Sequence, residues 1–136
     1  MKLLSPLVLR GLLQGIVPAH RGNFVRLYEG VDILHLYGPD ANDTRALAEQ
    51  PSAALIRYRP GAKVPLHHHD GYEHIIVLSG SQSDESGTYE QGTCIINPPG
   101  SSHSVRSETG CLVLAIWDHP VRVVEQTPFF TAEQPS

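Results

Sequence analysis

From residue 31 to residue 124 the chain is cut into short runs of β-branched, aromatic and aliphatic residues separated by Gly, Pro, Asn, Asp and Ser, the texture of strands and turns rather than of helices. The runs predict eight strands: Val31–Tyr37, Ala53–Arg59, Lys63–His69, Glu73–Leu78, Thr93–Ile96, His103–Arg106, Cys111–Trp117 and Val121–Val124. Short strands at that spacing make an all-β sandwich or barrel. Between them "RPGAK", "SGSQSDESG" and "NPPGSSH" carry the residues that turns require, and the longer polar "YGPDANDTRALAEQPS" has room for a helical turn at Thr44–Gln50.

Two of the runs, "HIIVLSG" and "CLVLAIW", are apolar on both faces. The outer face of at least one sheet must therefore be covered, by the terminal segments or by a second subunit, and a homodimer is the expectation. The N-terminal "MKLLSPLVLRGLLQGIVPAH" places Ser5 and Pro6 where a helix would be capped and begun, and Gly15 where it would stop, giving a short amphipathic helix or an extended arm. Arg10 interrupts its apolar run, which argues against a secretory leader, and no run reaches the ~20 apolar residues that span a bilayer. A soluble, cytoplasmic protein without membrane partners is expected. At the other end "TPFFTAEQPS" reads as a tail docked by Phe129 and Phe130. The chain then divides into an arm (1–28), a barrel (29–125) and a tail (126–136).

Composition narrows the function classes. Ten Lys and Arg against fourteen Asp and Glu give a net charge of −4, with no basic run, so a nucleic-acid partner is excluded. Cys94 and Cys111 lie in apolar stretches without Cys-x-x-Cys spacing and are expected to be small, buried and unpaired.

The chemistry concentrates in "HHHDGYEHIIVLSG", residues 67–80. Along a strand side chains alternate, so His67 and His69 point one way, about 6.6 Å apart at Cα, and His68 points the other. Two imidazoles on one face can converge on a metal ion at nitrogen distances of about 2 Å. After the turn at "DG", Glu73 is expected on the same interior face with Ile75 and Val77, leaving His74, Ile76 and Leu78 outside. His103, followed on its face by Val105 and Ser107, is the fourth candidate. Three histidines and a carboxylate suit zinc, iron, manganese or nickel. His20, His35 and His119 are expected to be ordinary surface or core residues, and His74 a surface or interface residue.

These residues match the two motifs of the cupin superfamily. The first reads Gly61, five residues, His67, one residue, His69, three residues, Glu73, six residues, Gly80; the second reads Gly92, five residues, Pro98, one residue, Gly100, two residues, His103. Ser107 stands where the family pattern has Asn. Residues 29 to about 117 more closely resemble the cupin domain of ChrR-type anti-sigma factors and its stand-alone relatives, some of which are oxygenases that cleave small diketones or hydroxyketones. The resemblance implies a small jelly-roll β-barrel with one divalent metal ion per chain, held by His67, His69, Glu73 and His103. The zinc-binding helical domain of the anti-sigma factors has no counterpart in residues 1–28, which contain no cysteine, so sigma-factor binding is not expected. The function implied is a metal-binding single-domain cupin that binds or senses a small molecule inside the barrel. The alternative is a non-haem metal dioxygenase in which Glu73 is both ligand and base. Isomerase or decarboxylase chemistry stays open, since a fold hosts many reactions. Tyr28, Tyr37, Arg57, Tyr58 and Arg59 are the candidates to stand beside the metal.

Overall fold

The computed structural model describes residues 2–17, 22–39 and 51–124. The expectations for His20, Thr44–Gln50, Phe129 and Phe130 lie outside these described residues. Among the described residues ten strands form: β1 (Val25–Tyr28), β2 (Val31–Tyr37), β3 (Ser52–Tyr58), β4 (Ala62–His68), β5 (Glu73–Asp84), β6 (Gly87–Glu90), β7 (Cys94–Asn97), β8 (Ser102–Ser107), β9 (Cys111–Trp117) and β10 (Arg122–Val123). They run in the order β1-β2-β3-β9-β5-β8-β4-β10, with β6 and β7 also beside β5. Every pairing is antiparallel. The sheet curls into a half-barrel, the all-β architecture that the alternation implied.

Strand β5 makes the curl possible by belonging to both halves. Its first residues, Glu73–Ile76, lie between β7 and β9, whereas Ser81–Asp84 pair with β6 and Ser83 meets Arg106 of β8. The corner falls at Gly80. Its φ is +71°, and a Cβ there would strike the Gly110 carbonyl oxygen and the Cys111 Cα. Only glycine fits a left-handed residue pressed against another backbone. The expected turn in "SGSQSDESG" is therefore corrected: Ser79 to Asp84 are strand, and the reversal comes after Asp84. Interior contacts override the turn-like composition, since Gln82, Ser83 and Asp84 are all buried.

Alternation sorts the core into two layers. Facing inward are Val31, Ile33, Ala54, Ile56, Tyr58, Ile75, Val77, Val105 and Val113, with Tyr28 and Trp117 against them. Outside the sheet, Leu34, Leu36, Leu55, Leu78 and Leu112 make a second cluster, and Leu7, Leu9, Leu12 and Val17 of the N-terminal segment pack on it. The arm thus covers the outer apolar face, so the covering that "HIIVLSG" and "CLVLAIW" demanded comes from this chain. Each leucine buried this way contributes about 1.5–3 kcal/mol. The helical option for the arm is not realised. Residues 6–11 are in no regular element, and the 3₁₀ turn Leu12–Gln14 follows, begun after a left-handed Gly11, with Gly15 donating its N–H to the Leu12 carbonyl at 3.1 Å.

Cys94 is a second correction, because it is exposed while Cys111 is buried; both are free thiols. On the short edge strand β7, Ile95 faces the core, so Cys94 and Ile96 face outward.

The corner can be tested by comparing two glycines of positive φ. Gly61 (φ +85°) has open space where an added methyl would sit, whereas Gly80 does not. Gly61→Ala should cost about 1–2 kcal/mol, the ordinary left-handed penalty, and Gly80→Ala clearly more. Urea unfolding midpoints of the two variants check this; equal losses would remove the steric role of Gly80.

Candidate metal centre

Strand register assembles the site. At the end of β4, His67 lies opposite His103 of β8, after a register shift that follows Val64. One residue past β4, His69 continues the ladder by donating its N–H to Ser101 (2.9 Å) and accepting from the Gly100 N–H (2.8 Å). Glu73 opens β5 directly opposite Asn97 on one side and Trp117 on the other. All four are buried, and their ligand atoms lie within 4.8 Å of one another. The imidazole rings meet edge to face, with centroids 4.6–5.1 Å apart.

Each ring is oriented through its Nδ1. His67 Nδ1 lies 2.9 Å from the Pro65 carbonyl, which can only accept, so the proton sits on Nδ1. His103 Nδ1 donates to Asp84 Oδ2 at 2.9 Å. His69 Nδ1 donates to Ser101 Oγ at 2.9 Å, because that hydroxyl spends its own proton on the Pro98 carbonyl at 2.6 Å. The three Nε2 atoms are left as lone pairs aimed inward. Those of His69 and His103 are buried without any hydrogen-bond partner. Glu73 Oε1 faces them, 3.1 Å from His69 Nε2 and 3.6 Å from His103 Nε2. It cannot swing away: Trp117 Nε1 donates to its Oε2 at 2.6 Å and Asn97 Nδ2 to its Oε1 at 2.9 Å.

Electrostatics agree with the geometry. Burial would push the Glu73 carboxyl up, but the His103 and His69 rings facing it, when they carry a second proton, and the Trp117 N–H outweigh it and hold the group well below the usual carboxylate range. Burial pushes His67 down and keeps it neutral. Burial also lowers His103, yet the carboxylates of Glu73 and Asp84 outweigh this and hold it up. With the imidazoles neutral, the four groups face one another as acceptors and could hold a cation, and a divalent ion with nitrogen and oxygen preferences fits this donor set.

Beside the cluster is a cavity of about 240 Å³, onto which His67, Glu73 and His103 open. Ile33, Ile56, Val64, Ile75 and Val105 form apolar walls. Of the candidates named from sequence, Tyr28 and Tyr58 line it. Burial, then the nearby Cys111, Glu73 and Tyr28, push the Tyr58 phenol far up, so it keeps its proton. The other three lie elsewhere. Arg57 faces outward, 3.3 Å from Asp32 and 4.1 Å over the Phe24 ring; Arg59 is exposed, and Tyr37 packs in the outer cluster. His35, read as ordinary, lines the cavity. His68 points away, 3.9 Å from Asp70. His74 shares the outward face with Ile76.

Sequence reading missed the residues that hold the ligands: Asp84, Asn97, Ser101 and Trp117. The only signal was the polar character of "SDES" and "NPPG", which also suits turns.

Comparison with known proteins places this geometry. Residues 16–120 match the ChrR Cupin-like domain family. The DNA damage-repair/toleration protein DRT102 of Arabidopsis thaliana is 25% identical over 80 residues, covering 54% of this chain and 26% of that protein. In the structure of Rhodobacter sphaeroides SigE in complex with the anti-sigma ChrR, a chain is similar at 25% identity and a TM-score of 0.60, over 74% of this chain and 51% of that one. This chain therefore spans about a quarter and about half of the length of these two relatives. An acetylacetone dioxygenase from Acinetobacter johnsonii shares the fold at 12% identity, with a TM-score of 0.69 over 93% of this chain and 83% of that one.

The opposed shifts of His67 and His103 are measurable by NMR titration in chelator-treated protein, where His103 should titrate above the ordinary imidazole value and His67 below it. The stability contributed by the His103 contacts is then full at low pH and lost as pH rises through its folded pKa. That from His67 is lost as pH falls through the ordinary imidazole range. Asp84→Asn should bring the His103 titration down; an unmoved value would mean that Asp84 does not set it.

Proposed function

Because the chain belongs to the ChrR Cupin-like domain family, we propose that it is a metal-binding cupin module that holds one divalent ion through His67, His69, Glu73 and His103 and binds a small molecule in the adjoining cavity. The observation that carries this reading is the pair of buried Nε2 atoms, on His69 and His103, that have no hydrogen-bond partner and face Glu73 Oε1. Zinc, iron, manganese and nickel all accept such ligands. When bound, the ion supplies a Lewis-acid point that polarises an oxygen of the bound molecule. The protein's part is to fix the lone pairs, through Pro65, Ser101 and Asp84, and to keep Glu73 ionised and immobile between Asn97 and Trp117. Apolar walls keep water out of the space where the ligand lies.

A second reading is a non-haem dioxygenase acting on a small diketone or hydroxyketone, favoured by a redox-capable ligand set opening onto a small apolar cavity that also holds Tyr28 and Tyr58. In that case Glu73 is available as a base as well as a ligand. The likeness to the acetylacetone dioxygenase supports the fold only. A homodimer in the cytoplasm completes the proposal. It is supported by the exposed Leu4, Val8, Leu13 and Ile16 on the arm and by two unpaired cysteines. No helix of the described residues is long and apolar enough to cross a membrane.

Metal content and melting temperature of alanine variants test the reading. His67→Ala, His69→Ala and His103→Ala should each lose the ion and the thermal stabilisation it supplies. His68→Ala should retain both within a few tenths of a kcal/mol, as a surface change does. Glu73→Gln should weaken binding far more than His74→Gln, and Asp84→Asn by roughly 10- to 100-fold. Full metal loading in the first three variants would end the metal reading. Iron-loaded protein that consumes no oxygen with any β-diketone or hydroxyketone would leave the binding module and remove the dioxygenase.

A further inference from the structure

Gln82 and Tyr58 are among the polar side chains of the cavity that do not hold the His67, His69, Glu73 and His103 cluster. Gln82 lies on β5, two residues before Asp84, and is 2% exposed. It lines the cavity, and no side chain of the described residues hydrogen-bonds its amide. Tyr58 of β3 is 6% exposed, lines the same cavity, and its hydroxyl likewise has no partner among the described residues. Polar side chains that line one cavity and bond to no other side chain are available to whatever occupies it. Both offer a proton, the amide from N–H and the phenol from O–H. An oxygen acceptor can take both protons.

The rest of the lining bounds the ligand's charge and size. None of the described lining residues is Lys or Arg, so no permanently cationic side chain in the cavity meets a phosphate or a second carboxylate. A divalent ion beside one carboxylate leaves room for at most a singly negative head group. At about 240 Å³ the cavity is below the ~300–1,000 Å³ of pockets for drug-sized ligands.

We propose that Gln82 and Tyr58 form a second recognition point, apart from the metal ligands, that selects small, neutral or singly charged molecules carrying an oxygen acceptor beyond the group that meets the metal. The proposal rests on the metal and small-molecule reading above and adds the chemical class of the ligand. A ligand with only a metal-binding head leaves both donors unsatisfied; one with a further carbonyl, ether or hydroxyl oxygen completes them.

The test uses cobalt(II)-loaded full-length protein, whose visible spectrum reports ligand binding, and two β-diketones of equal length, one with a propyl arm and one with a methoxymethyl arm. They share the metal-binding head and differ by a single methylene replaced by oxygen. Affinities for both are measured in wild type, Gln82→Leu and Tyr58→Phe, with metal content and melting temperature followed throughout. In each variant the preference for the methoxymethyl compound should fall about tenfold relative to wild type, as expected for one lost hydrogen bond, with metal content unchanged. The same preference in all three proteins would overturn the proposal while leaving the small-molecule reading intact. If neither diketone alters the spectrum of metal-loaded wild type, both fall together. Should Gln82→Leu not fold, Gln82→Met replaces it and Tyr58→Phe carries the same comparison.

Discussion

Three imidazole lone pairs and a carboxylate oxygen repel one another, and burial deprives them of the water that would relieve it. A fold that brings Nε2 of His69 to 3.1 Å from Glu73 Oε1 must hold both from behind. It does so with hydrogen bonds to each of the four: a backbone carbonyl for His67, a serine for His69, Asp84 for His103, and Asn97 with Trp117 for Glu73. Fixed lone pairs are what a cation with demanding geometry needs.

Much of this support comes from one strand. β5 begins with Glu73 of the cluster, bends at Gly80, and ends with Asp84, which orients His103 on another strand. Because its two halves sit in different parts of the curled sheet, the bend helps to curl the half-barrel and places both carboxylates at the site. The apolar arm lies behind this on the outer leucine layer, so the sheet that carries Glu73 is packed on both faces.

The two-residue period of a strand was enough to separate His67 and His69 from His68, and Glu73 from His74, and the inward and outward layers follow that period. His103 was legible through motif spacing alone, since its approach to His67 depends on pairing between β4 and β8. Asp84, Asn97 and Trp117 were not legible because each acts across strands, and register is not written in one strand's own residues. "SGSQSDESG" misled because serine and glycine suit turns. Here the strand persists through part-buried side-chain bonds, Ser83 Oγ with Thr88 Oγ1 at 2.8 Å and Ser107 Oγ to the Ser81 carbonyl at 2.6 Å. The latter also explains how serine serves where the family pattern has asparagine: it is fully buried and satisfied. Cys94 looked like core because its neighbours are apolar, but β7 is an edge whose outer side nothing among the described residues covers.

Trp117 is the chain's sole tryptophan, and its indole N–H is spent on the Glu73 oxygen that faces away from the histidines. Any redistribution of charge on that carboxylate alters the field along the indole's long axis. The protein therefore carries an intrinsic fluorophore wired to its own centre, so that occupancy can be followed by emission from the unlabelled chain, without contribution from a second tryptophan.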